Sequence, residues 1–171
     1  GMRGAAAGAA QPDCDMAFSR LFRHWRLFGA FLVLLAATAL PGLAQSDRNV
    51  LSIETAGGAY KFNVDVMRSQ PDLEKGLMFR KSIPADYGML FDFQHEQTIM
   101  MWMKNTLIPL DMIFMDKTGK VVGIIANAEP MSEKILTVSA PTDAVLEVRG
   151  GTAARIGLKV GDTVRDAIFA P

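Results

Sequence analysis

Cysteine is almost missing from this chain of 171 residues: Cys14 is the only one, and it stands near the start. Disulfide stapling, thiolate metal sites and cysteine nucleophiles are therefore excluded from everything that follows it. Histidine is nearly as scarce, with His24 and His95 alone, so three-histidine metal centres are impossible. Ser-His-Asp chemistry beyond the first 44 residues would have to run through His95. A charge excess is missing too. Lys+Arg and Asp+Glu both number 18 overall, and residues 45–171 carry 14 of the former against 16 of the latter, a net of −2. Nucleic acid, which wants a clustered basic face, is not an expected partner. The chain also lacks a long apolar run. Its best, Leu27 to Leu40, has 14 residues, short of the roughly 18–20 that span a bilayer.

What is present at the N-terminus reads as an export signal. Arg20, Arg23, His24 and Arg26 form a basic region, Leu27 to Leu40 the apolar region, and Gly42 and Ala44 the small residues of a cleavage site. The expected layout is a signal peptide over 1–44, preceded by a tag remnant or over-long start, with Met16 as initiator. Cleavage after Ala44 leaves 127 residues, enough for one domain over 45–171. The expected location is the periplasm or the exterior, with membrane contact only during export.

Beyond residue 45 short β signals dominate. Val50 to Glu54 and Tyr60 to Val66 alternate in polarity around an Ala56-Gly57-Gly58-Ala59 turn. Ser69 to Gly76 predicts a short helix with Ser69 as N-cap, Pro71 in the first turn and Gly76 at the end. Further strands are predicted at Met89–Phe93, Thr98–Met103, Leu110–Met115, Lys120–Ala126, Leu136–Ser139, Ala144–Val148 and Thr163–Phe169. A one- to two-turn helix is predicted at Thr152–Ile156, closed by Gly157. Eight or nine short strands with little helix predict a mainly β domain, a single compact β-sandwich or jelly-roll-like barrel with one or two short helices.

Several motifs then occur in a fixed order: Glu74-Lys75-Gly76-Leu77-Met78-Phe79-Arg80, Gly88-Met89-Leu90-Phe91, Trp102-Met103-Lys104-Asn105-Thr106 with Ile108-Pro109-Leu110-Asp111, Leu146-Glu147-Val148, and Gly161-Asp162. This order resembles a widespread prokaryotic family known as a conserved domain of unknown function, over nearly all of 50–168. The resemblance implies a compact β-sandwich of jelly-roll type and supplies no activity and no cofactor.

The segment Trp102 to Asp116 concentrates the chemistry. Pro109 cannot donate to a β ladder, so Thr106 to Pro109 predicts a bend that folds Asp111 back toward Lys104 or Asn105. The polar groups there have two readings. They tie down a corner, with Arg80 bridging to Asp111 or Glu147. Or Trp102, Lys104, Asn105, Thr106 and Asp111, supported by Arg80 and Glu147, form a binding site for a small polar ligand such as a sugar. The second makes the protein a non-catalytic binding or accessory domain. Two alternatives belong to other classes. Thioethers suit Cu(I), and Met101, Met103 and His95 are its candidate ligands. Asp111 with Glu147 would be the carboxylate pair of a hydrolase.

Overall fold

The computed structural model describes residues 48–169. The expected signal segment and Cys14 lie outside those residues. Seven strands form one sheet: β1 (Arg48–Thr55), β2 (Gly58–Met67), β3 (Tyr87–Gln97), β4 (Leu110–Met115), β5 (Val121–Ala128), β6 (Thr142–Arg149) and β7 (Thr163–Arg165). Their spatial order is β5-β4-β6-β3-β2-β1-β7. Every neighbouring pair is antiparallel except β2 with β3. That parallel pair needs a crossover, which holds the helix α1 (Gln70–Lys75). Ser69 caps α1 by accepting from the Asp72 N–H, Pro71 sits in its first turn, and Gly76 ends it at φ +44°. The second helix, α2 (Thr152–Ile156), lies between β6 and β7 and ends at Gly157 with φ +66°.

The sheet curls until its two edge strands meet at one end. Lys120, just before β5, bridges to Thr163 of β7. The Val121 N–H donates to the Asp162 carbonyl (2.9 Å), and the Val164 N–H donates to the Gly119 carbonyl (2.8 Å). The result is a half-barrel with an inner and an outer apolar layer. Strand alternation sorts the residues between them. Leu90, Ile113, Met115, Leu146 and Val148 fill the inside together with Phe62, Val64 and Ile156. Met89, Phe91, Met112, Phe114 and Val145 face outward, where Leu77, Ile83, Ile99 and Met103 from the connecting segments cover them. All six residues of β4 are buried because both of its faces are covered. Each fully buried large side chain contributes about 1.5–3 kcal/mol, so this two-layer arrangement stabilises the centre of the sheet most.

The mainly β class with two short helices is the one expected, and the sheet takes the barrel-like form of that expectation. Two strand assignments are corrected. Thr98–Met103 and Leu136–Ser139 have β composition but form only an isolated bridge, Met101 to Leu136. Their backbones serve as a loop-to-loop clasp over the outer layer. The last predicted strand stops at Arg165, and Ala167–Phe169 turns as a short 3-10 helix. Among the described residues the count is therefore seven strands, not eight or nine.

Candidate functional site

Asp111 explains why an apolar strand carries a carboxylate. It is fully buried and opposite Val148 in the β4–β6 register, so it points into the inner layer. Its Oδ1 accepts from the backbone N–H of Asn127 (2.8 Å) and Gly151 (3.1 Å), and its Oδ2 from that of Ala153 (2.7 Å). Gly151, the residue that opens α2, has φ +84° and no side chain with which to cap it. Asp111 supplies that cap from 40 residues away, and its negative charge suits the helix start. It is a clamp between β4, β5 and α2. The expected approach to Lys104 or Asn105 is not made.

The Trp102–Thr106 segment is a tight turn. The Thr106 N–H donates to the Met103 carbonyl (3.0 Å), and Asn105 takes φ +57° at the turn's third position, which asparagine tolerates better than most residues. Three further backbone bonds pin the turn: Phe79 N–H to the Asn105 carbonyl (2.8 Å), Met131 N–H to the Thr106 carbonyl (3.0 Å) and Met103 N–H to the Ser132 carbonyl (2.9 Å). Lys104 lays its ammonium 5.2 Å from the centre of the Trp102 ring, a cation–π contact. Asn105 sends its amide toward the Met78 sulfur at 3.9 Å. Arg80 turns away from both predicted partners. It lies 4.0 Å from the Asp65 carboxylate and 5.3 Å from the Tyr87 ring centre. Tyr87 donates to Asp65 (2.6 Å), and burial followed by that bond raises its hydroxyl to about 12.

Glu147 faces the other way from Asp111. In register it stands between Met89 of β3 and Met112 of β4, all in the outer layer. Successive strand residues alternate faces, so the two carboxylates lie on opposite sides of one sheet. The hydrolase pair of Asp111 and Glu147 is thereby ruled out. Glu147 is only 4 % exposed. Among the described residues no donor comes within hydrogen-bonding reach of its carboxyl, and burial alone raises its pKa to about 8.

This carboxyl borders an open cleft of about 640 Å³ between α1 and the segment running from the end of β3 to the turn. Gly76 makes room for it: a Cβ there would stand 2.9 Å from the Phe91 ring and 3.7 Å from Glu147 Oε2. Trp102, 43 % exposed, and the buried Thr106 also line the cleft, as do Met78, Met100 and Met101. On its rim Arg68 pairs with Asp92 at 2.8 Å. Of the seven residues predicted for the site, Trp102, Thr106 and Glu147 line the cleft, and Lys104 stacks on Trp102 without lining it. Asn105, Asp111 and Arg80 are used elsewhere. Of the Cu(I) candidates, Met103 is sealed in the outer layer, whereas Met101 and His95 line the cleft. Among the described residues no three His, Cys, Asp or Glu side chains converge as a metal site. Sequence reasoning missed Gly76 and Phe91 as site residues. The glycine that ends α1 was visible, but not that the crossover lays it against β6.

The half-barrel and its cleft define a small mainly β domain with a concave site on the outer layer. The chain belongs to the DUF192 family, described as Uncharacterized ACR, whose model matches residues 52–165. Two solved structures are similar to it. A protein of unknown function from Novosphingobium aromaticivorans DSM 12444 is 39 % identical, with TM-score 0.67, over 68 % of this chain and 84 % of that one. A protein from Sinorhizobium meliloti 1021, described as a candidate transcription regulator, is 38 % identical, with TM-score 0.69, over 71 % of this chain and 95 % of that one. None of the curated proteins matches the chain.

Proposed function

We propose that the protein is an exported, non-catalytic domain that binds a small polar ligand, such as a sugar, in the cleft between α1 and the Trp102 turn. One observation carries the reading: the Glu147 carboxyl, with no protein partner, at the base of an open cleft walled by an exposed tryptophan. A ligand pocket is usually a mostly apolar concavity with a few convergent polar groups. Here Phe91, Met78 and Met101 give the apolar part, while Glu147, Thr106 and Gln97 give the polar part. Trp102 offers its ring to a flat apolar face of the ligand, and Lys104 holds that ring from its side. The basic and apolar run over residues 20–40 supports export. The description of the Sinorhizobium protein lends no support to DNA binding here, because residues 45–171 carry more acid than base.

A thermal-shift screen of monosaccharides, methyl glycosides and polyols tests the reading. A hit is expected to bind the wild type and to lose at least tenfold in affinity with Trp102→Ala, the variant remaining folded. Hits unaffected by that change, or a screen with none, count against it. Cell fractionation of the full chain tests export. A second reading is favoured by the sulfur lining: Met78, Met100 and Met101 share the cleft with His95, and thioethers suit Cu(I). Anaerobic titration without submicromolar Cu(I) binding removes it.

A further inference from the structure

We infer that Glu147 meets its ligand as an uncharged acid, donating its own carboxyl proton to a ligand oxygen, so that the cleft takes neutral or anionic oxygen-bearing molecules and rejects amines and other cations. The inference rests on the cleft reading and names the chemistry of its ligand.

The surroundings of the carboxyl carry the argument. Two buried methionines, Met89 and Met112, flank it in register, and the Phe91 ring and Gly76 close in from the side of α1. On β6 itself Asp143 and Arg149 share the Glu147 face by alternation, and neither lines the cleft. Arg68, before α1, is taken by Asp92 of β3. The α1 side adds Glu74 and Lys75, the end of β3 adds His95, and the turn adds Lys104, which lies on Trp102. β4 adds no charge on this face, because Asp111 points inward. None of these groups bonds to Glu147. Thr106, which brings the turn's hydroxyl to the cleft lining, donates it to the Lys104 carbonyl (3.4 Å).

An ionised carboxylate in such a place has no protein donor and no counter-charge, can draw water only from the cleft side, and is strongly disfavoured. The side chain therefore keeps its proton at neutral pH, in line with a pKa near 8 set by burial alone. A neutral carboxyl has one O–H donor and spare acceptor capacity. A ligand hydroxyl, carbonyl or carboxylate oxygen satisfies the donor. An ammonium ligand pairs best with the ionised form, so it would first have to displace the carboxyl proton, and the rim offers no surplus of acid to favour it, Arg68 and Lys75 balancing Asp92 and Glu74.

The test uses the full chain with ¹³C-labelled glutamate and three minimal probes: acetamide, acetate and methylammonium. In the wild type the Glu147 Cδ resonance is expected at its protonated position at pH 7. Acetamide and acetate are expected to move it and to raise its titration midpoint. Their affinity is expected to fall about tenfold per pH unit above that midpoint, since one proton is linked to binding. In Glu147→Gln, whose amide still donates, acetamide binding is expected to persist within about threefold and to lose its pH dependence. If methylammonium binds in the cleft and lowers the midpoint, or if probes bind without moving Glu147, the proton-donor inference falls and the cleft reading stands. If none of the three perturbs any cleft resonance, both fall.

Discussion

Asp111 and Glu147 sit on neighbouring strands, one step apart in register, and what separates their chemistry is the supply of donors. Asp111 receives three backbone N–H groups; Glu147 receives none and is held by apolar side chains. A buried charge without partners is far costlier than one with them. The consequence for stability has a definite sign. Glu147 titrates near its ordinary 4.5 in the unfolded chain and near 8 in the folded one. Between those values the native state binds more protons than the unfolded state, so stability falls as pH rises from 4.5 to 8 and is flat in this respect outside that window. At pH 7 the loss is about 3 kcal/mol. Glu147→Gln has no proton to lose. Relative to wild type it is expected to gain about that much stability between pH 4.5 and 7, measured by urea denaturation. Parallel pH profiles for the two proteins would contradict the assignment.

At the level of elements, Asp111 joins three pieces distant in sequence: the start of β4, the end of β5 and the first turn of α2. Asp111→Ala leaves three N–H groups without an acceptor, the buried one of Ala153 costing about 1–3 kcal/mol and the part-buried ones of Asn127 and Gly151 less. A total loss of about 4 kcal/mol is expected, with α2 the first element to lose amide protection in hydrogen exchange. Retained protection at Ala153 would show that α2 does not depend on this cap. The sequence made β1, β2, β4, β5, β6 and both helices legible, because alternation, caps and turn residues act locally. Thr98–Met103 was misread because composition alone cannot say that its backbone partners are a loop at 132–136 rather than a strand. The candidate site was half legible. Trp102 and Thr106 announced themselves by being polar or aromatic in an odd run. Which face Asp111 takes depends on register with Val148, and register is a property of the paired sheet. Arg80 was likewise unreadable, since its partners Asp65 and Tyr87 come from β2 and β3 and only their parallel pairing brings them together.

For the described domain as a whole, the half-barrel depends on its two edges meeting at Gly119, in the turn before β5. The Gly119 carbonyl accepts from Val164, and its φ of +80° aims the chain at β7. A Cβ at this position would stand 2.3 Å from the Val164 carbonyl oxygen, a distance no real contact allows. Gly119→Ala must therefore push β7 away, adding left-handed backbone strain of about 1–2 kcal/mol to the loss of closing hydrogen bonds at roughly 1 kcal/mol each. Gly157→Ala separates the two costs. Gly157 also has positive φ, at +66°, but nothing lies within 4 Å of its added Cβ. The expectation is a loss of about 1–2 kcal/mol at Gly157 and about 3 kcal/mol or more at Gly119, a difference of several degrees in Tm for a domain of this size. Amide exchange gives the sharper readout. In Gly119→Ala the Val121 and Val164 amides, which bond across the seam, should lose protection before Leu146 in the central strand does. Equal costs for the two alanines, or seam amides as protected as in the wild type, would mean that the sheet holds its curl through the inner layer of side chains alone, without the seam.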